Sequence, residues 1–198
     1  MAATPGYDGA EQAMNGISFL SGQFLLAMPG IGDPRFEQSV IAVCAHDPNG
    51  AFGLCLHRAI DGLTVPELMR QMEVDPGATP ARPVLLGGPV ETERGFVLHS
   101  PDWAGQDTRH TAMRWAVTGT TDVLRAIAEG RGPRQWLVAL GYAGWGAGQL
   151  DEEMQRHGWF ATAGDDLLFD VEAGQRWARA FALAGIDSRM LSTGPGHA

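Results

Sequence analysis

Between Gly141 and Glu153 the chain reads Gly-Tyr-Ala-Gly-Trp-Gly-Ala-Gly-Gln-Leu-Asp-Glu-Glu, and this stretch narrows the possible folds more than any other. Its first eight positions hold four glycines and two aromatics, and an acidic, helix-like run follows at once. Glycine is used where backbone must bend sharply or approach something closely. The segment therefore reads as backbone that must bend or approach something closely, with Tyr142 and Trp145 packed across it. A strand at Gln135–Leu140 leads into it, and a helix from about Leu150 to His157 follows.

A loop between strand and helix can also cradle phosphate. The spacing argues against that here. A GxGxxG pattern begun at Gly144 would need glycine where Gln149 stands, and no lysine is present for a P-loop. Asp151, Glu152 and Glu153 would already sit at the positive end of the helix and repel an anion. Glu153 and His157 are four apart on that helix and read as a solvent-facing pair, too few for a metal site. No cofactor and no metal is expected.

All 14 basic residues are arginine, which removes lysine Schiff-base and serine–lysine chemistry, and the formal charge is −9. No basic stripe is visible, so DNA is not a favoured partner. Hydrophobic residues make up 44% of 198 positions, enough for a substantial core. Two cysteines suit a reducing compartment. Met1–Gly16 has neither the basic start nor the apolar centre of a signal peptide, and no apolar run nears the roughly 20 residues that span a bilayer. The expectation is a cytoplasmic protein with no membrane partner, its residues 1–15 a disordered tail and 16–198 a single domain.

Strands are expected within Ile17–Met28 and at Ser39–Ala45, Ala51–His57, Val84–Leu86, Gly95–His99 and Arg109–Thr118. Thr64-Val65-Pro66-Glu67 has the form of a capping box opening a helix to about Met72. Further helices are expected at Thr121–Glu129, stopped by Gly130, and at Glu172–Ala184, with Trp177, Phe181 and Ala184 on one buried face and Gly185 as its stop. Asp165 and Asp166 mark a turn. Strands and helices do not alternate strictly, which indicates α+β rather than a doubly wound sheet.

Asp47-Pro48-Asn49-Gly50 signals a hairpin, and a type I′ turn at Asn49-Gly50 would place Cys44 opposite Cys55, close enough for a reversible disulfide. That spacing makes the two cysteines a possible thiol pair, although buried strand cysteines usually act as small apolar residues. No GxSxG elbow exists. His46, His57, His99 and His110 could gather near Ser39 or Asp33, with structural histidines the default reading.

Several landmarks occur in a telling order: Leu25-Leu26-Ala27-Met28-Pro29 with Asp33 and Phe36, Gly50-Ala51-Phe52-Gly53-Leu54, Gly87-Gly88-Pro89-Val90, Val97-Leu98-His99, Gly141 to Gly146 with Gly148-Gln149-Leu150, then Trp159 and Trp177 to Asp187. In these the chain resembles the AlgH/YqgE family of bacterial proteins from about Gly16 onward. The resemblance implies an α+β fold whose bifurcated mixed sheet curls into a partly closed barrel with helices packed outside. Members carry the label of transcriptional regulator. Where the family often has Asn-Arg-Pro, this chain has His57-Arg58-Ala59, so His57 stands where a polar asparagine would.

The functional expectation is a non-enzymatic binding or regulatory protein acting through a protein or small-molecule partner. Its surface would comprise Gly141, Tyr142, Gly144, Trp145 and Gly148, with Gln149 and Glu153 as polar edge and Asp33, His57 and Arg58 facing the same region. The alternatives are an enzyme, either a hydrolase or a thiol-dependent oxidoreductase, and a direct DNA-binding regulator.

Overall fold

A computed structural model of the protein describes residues 20–111, 115–163 and 169–191. The tail, the start of the first expected strand and the turn at Asp165 and Asp166 lie outside them. Among the described residues, ten strands alternate irregularly with four α-helices. The strands are β1 (Gln23–Ala27), β2 (Val40–Asp47), β3 (Gly50–Cys55), β4 (Ala59–Thr64), β5 (Pro83–Leu86), β6 (Val90–His99), β7 (Arg109–Thr111), β8 (Trp115–Thr118), β9 (Trp136–Gly146) and β10 (Trp159–Ala163). The helices are α1 (Val65–Gln71), α2 (Asp122–Ala128), α3 (Gln149–Gln155) and α4 (Arg176–Leu183).

Eight strands follow one another in the order β10-β1-β2-β3-β9-β6-β8-β7, every pair antiparallel. β4 and β5 branch from this path, because β5 pairs parallel with β9. The sheet curls until β7 touches β2. This is the bifurcated, partly closed barrel that the family resemblance implied.

The fork lies within the glycine-rich segment. Before Gly141, β9 pairs with β5 through Ala139 and Leu140; beyond it, β9 pairs with β3 from Ala143 to Gly146. The Gly87-Gly88 turn presses against β9 at this point. Gly87 donates its N–H to Leu140 O at 2.7 Å and accepts from the Cys55 N–H at 2.8 Å, stitching the two branches together. Gly141 sits at φ +73°, and a Cβ there would lie 2.5 Å from Gly88 O. The close backbone approach expected from the sequence is thus present at Gly141, within strand rather than loop. β9 runs through to Gly146, paired with β3 from Ala143 onward, so the segment is ladder rather than open loop.

Both faces of the central strands are buried. Phe24 and Leu26 of β1 and Val40, Ala42 and Cys44 of β2 face the core inside the curl, which α4 closes with Trp177, Ala180 and Phe181. Leu25, Ile41, Val43 and Cys55 point the other way, toward Trp145, Trp159 and Leu150 of α3. A third core joins α1 and α2 to β5, β6 and β9. Two-sided burial explains why these strands read as continuous apolar runs rather than alternating ones. The capping interaction at α1 is present, with the Glu67 carboxylate accepting from both the Thr64 N–H at 2.8 Å and the Thr64 hydroxyl at 2.6 Å.

Three local expectations are corrected. The turn between β2 and β3 is Pro48-Asn49, flanked by the pair Asp47–Gly50, and β2 then bulges between Val43 and Ala45. Cys55 therefore faces Ile41 and not Cys44, and the two thiols belong to cores on opposite sides of the sheet. Both are free and pushed up to about 12 by burial, so neither is poised as a thiolate. Arg109–Thr118 is not one strand but the hairpin β7–β8, in which the Thr111 hydroxyl bonds Trp115 O. β4 and β10 are strands the pattern did not disclose.

Replacing Gly141 with alanine should lower stability by about 2–3 kcal/mol, a fall in Tm of roughly 5–10 °C for a chain of this size. Gly130→Ala shares the positive φ of +69° but meets open space, so it should cost about 1 kcal/mol or less. Equal melting of the two variants in a thermal scan would show that close approach at the fork plays no part.

Candidate functional site

The fork delivers Trp145 to one side of β9 and Tyr142 to the other. α3 begins at Gly148, whose φ of +70° turns the chain from strand into helix, and Leu150 anchors the helix in the outer core. One turn on, Glu153 points back toward the sheet. Its Oε2 accepts the indole N–H of Trp145 at 2.9 Å and that of Trp159, from β10, at 2.8 Å. Its Oε1 accepts from Gln149 Nε2 at 3.0 Å, and Gln149 Oε1 in turn accepts the Gly146 N–H at 3.1 Å. The two indoles meet edge to face with centroids 6.2 Å apart. Hydrogen bonds to an ionised acceptor are the stronger kind, so one half-buried carboxylate ties α3 to two strands.

This cluster forms one wall of a cleft of about 540 Å³. The opposite wall is the segment after β1. There Asp33 caps the short 3₁₀ turn Pro34–Phe36 by accepting the Arg35 N–H at 3.0 Å, and it pairs with the Arg35 guanidinium at 2.7 Å. These bonds to Arg35 hold the Asp33 carboxyl below its usual range. Phe36 closes edge-on against Trp159 at 5.8 Å. Arg156, half of an exposed pair with Glu152, completes the rim with His157. The cleft thus offers flat indole and phenyl walls, a fixed carboxylate, a carboxamide and two exposed guanidinium groups, a set suited to orienting a small polar molecule or a short peptide.

The cleft unites Asp33, Gly144, Trp145, Gln149 and Glu153 from the expected surface. The others lie elsewhere. Gly141 is in the fork, and Gly148 serves as the entry to α3. Tyr142 packs tilted against Phe52 and edge-on against Phe96 on the opposite face of β9. His57 and Arg58 occupy the connection from β3 to β4 and do not line the cleft. Neither ring nitrogen of His57 has a hydrogen-bond partner, so it does not act as a polar replacement for asparagine. The pairing expected of Glu153 with His157 is also corrected: Glu153 turns inward to the indoles, and His157, at φ +57°, leaves the helix as an exposed residue. Trp159, Phe36, Arg35 and Arg156 were missed as site residues.

The hydrolase constellation does not assemble around Ser39, whose buried hydroxyl has no hydrogen-bond partner. His99 is fully buried, with Nδ1 donating to Ser100 O at 2.8 Å and Nε2 bonded to the Thr118 hydroxyl at 2.9 Å. His46 is buried as well, accepting the Leu20 N–H at Nδ1 and facing Asp151 of α3 at 3.6 Å. Among the described residues no group of three or more His, Cys, Asp and Glu is placed to hold a metal ion.

Comparison with known proteins places this architecture. The model of the AlgH-like family matches residues 24–189. A UPF0301 protein of Rhizorhabdus wittichii is 59% identical over 186 residues, covering 93% of this chain and 100% of that one. One from Sphingopyxis alaskensis is 55% identical over 182 residues, covering 91% and 97%. Among solved structures, AlgH from Pseudomonas aeruginosa superposes with a TM-score of 0.74 at 38% identity, over 91% of this chain and 97% of that one. A protein from Corynebacterium diphtheriae shares the fold, with a TM-score of 0.68 at 21% identity over 87% and 91%.

Removing the carboxylate leaves two indole N–H groups without their acceptor, so Glu153→Ala should cost about 2–4 kcal/mol by urea unfolding. Glu153→Gln keeps one acceptor oxygen and should cost less than half as much; equal losses would mean that the indoles do not depend on this acceptor. His57 has a pH signature. Burial first, and Arg58 second, lower its pKa from 6.5 to about 4, so the unfolded chain takes up a proton more readily than the folded one. Stability should be undiminished above pH 6.5 and fall as pH drops from 6.5 toward 4. His57→Gln should flatten part of that slope in unfolding curves taken across the range, with His99, also shifted down by burial, supplying part of what is left.

Proposed function

The chain belongs to the AlgH-like family, and from that premise we propose that it is a cytoplasmic, non-enzymatic binding protein whose ligand, a small molecule or a segment of a partner protein, occupies the cleft between α3 and the segment after β1. The observation that carries this reading is the Glu153 carboxylate, fixed by Trp145, Trp159 and Gln149 at the wall of an open cleft. A group held this firmly is preorganised, so binding does not require ordering it first. In this reading any regulatory effect, such as the family label suggests, passes through the bound ligand or partner.

Direct DNA reading finds less support. The arginines Arg35, Arg94, Arg131, Arg134, Arg156 and Arg189 are each matched with a carboxylate of the chain itself, rather than arrayed as a basic face. No helix among the described residues is long and apolar enough to cross a membrane. A thiol oxidoreductase would need the cysteine pairing that the register of β2 and β3 denies.

Native mass spectrometry of the protein purified gently from its own cells tests the proposal. A co-purifying molecule or partner should appear on the wild-type chain and be lost from Gln149→Ala and Arg35→Ala, both exposed substitutions that leave the cores intact. An adduct retained by both variants would place binding elsewhere, and a bare chain would remove the support for this cleft.

A further inference from the structure

The other face of β9 carries a separate cavity. Because the sheet curls until β7 meets β2, one end of the barrel gathers side chains from six strands. Phe52 of β3, Phe96 of β6 and Tyr142 of β9 form a triangle of rings with centroids 5.1 to 5.9 Å apart. Together with Cys44 and Val117 they line a hollow of about 270 Å³ that opens to solvent. Its mouth is set with Arg94 and Arg109, and with one carboxylate, Asp107.

Phe52 and Tyr142 are only half-buried, so the ring cluster is an open wall and not a closed part of the core. The arginines are available as well. Arg94 lies over the Phe96 ring at 5.1 Å and bonds the exposed Glu91 at 3.0 Å; Arg109 reaches Asp107 only at 4.0 Å. Arg94 is 53% and Arg109 77% exposed at the side chain, and pairs in such positions are weak. A guanidinium has five N–H donors, and neither pairing uses more than a fraction of them. The lining therefore sets two guanidinium groups and one carboxylate above an aromatic floor, with Glu91 beside it, paired to Arg94 and accepting from the Tyr142 hydroxyl at 3.4 Å, so an incoming anion competes with exposed carboxylates for these donors.

We propose that this mouth is a second binding site, distinct from the cleft at Glu153, which takes a small ligand consisting of an aromatic ring with one anionic group. The ring packs against Phe52, Phe96 and Tyr142, and the anion meets Arg94 and Arg109. The chemistry is the same for a carboxylate and for a phosphate ester, and the cavity holds one or two fused rings at most.

The test is a titration followed by amide and indole NMR shifts, with benzoate and phenyl phosphate as probes and benzyl alcohol as the neutral control. Both anions should shift the amides of Phe96, Val117 and Tyr142 in a saturable way while leaving the Trp145 and Trp159 indole signals in place. Whichever anion binds tighter identifies the natural class. Arg94→Gln combined with Arg109→Gln, two surface changes, should weaken binding at least about tenfold, as expected for loss of charge-assisted hydrogen bonds. Phe52→Leu should weaken it while preserving the amide spectrum of the fold. Glu153→Gln should leave it unchanged, which separates this site from the cleft. The proposal is overturned if the anions cause no saturable shift, if benzyl alcohol binds as well as benzoate, or if the double arginine variant binds like wild type.

Discussion

The fold depends on a close approach between two stretches of backbone at the fork. Gly87-Gly88 lies against Gly141-Tyr142 so tightly that a Cβ on Gly88 would overlap the Tyr142 carbonyl. At such a distance one strand, β9, serves β5 over its first half and β3 over its second, with β6 alongside from Trp136 to Tyr142. Hydrogen bonds of 2.7 and 2.8 Å through Gly87 link both branches at the fork. Without that contact the sheet could not both branch and curl, and Trp145 and Tyr142 would not be presented on opposite sides of one rigid strand. Gly141 serves the fork itself, and beyond it the strand carries Trp145 into the outer core at the cleft and Tyr142 to the opposite face.

Glu153 converts that architecture into a candidate site. A carboxylate drawn partly out of water must be compensated, and here the compensation comes from neutral donors, two indoles and an amide, rather than from a cation. An ion pair would have cancelled the charge locally. Neutral donors leave it in place, so the wall of the cleft stays electronegative while the exposed Arg35 and Arg156 stand at the rim. A ligand entering the cleft meets both signs of charge in fixed positions.

Elements were legible where a local rule acts alone. The capping pair at Thr64 and Glu67, the stops at Gly130 and Gly185, and the strand leading into the glycine segment follow from residues within a few positions of one another. Interactions between distant parts of the chain were not. The turn at Pro48-Asn49 displaces the register by two from the Asn-Gly expectation, and the bulge beside Cys44 shifts it once more; both depend on how β2 fits between β1 and β3. Helical spacing alone matched Glu153 with His157, because nothing local shows that two tryptophans, eight residues before and six after, will converge on the same oxygen. Trp159 could have been suspected from its place just beyond the helix stop at Gly158. His57 and Arg58 were drawn into the site because they stand where the family often has Asn-Arg-Pro, and the fold carries them elsewhere.

The curl of the sheet bears on how the molecule behaves in a crowded solution. A flat run of eight strands would end in two long rows of unpaired amides and carbonyls, ready templates for another chain. Here the path ends at β7, which is three residues long and is brought round against β2, and at β10, which is five. An incoming strand would find little length to register with at either end. Closing the main path in this way shortens its two ends as templates, and leaves the branch strand β4, paired with β5 on one side, as the longer edge among the described strands.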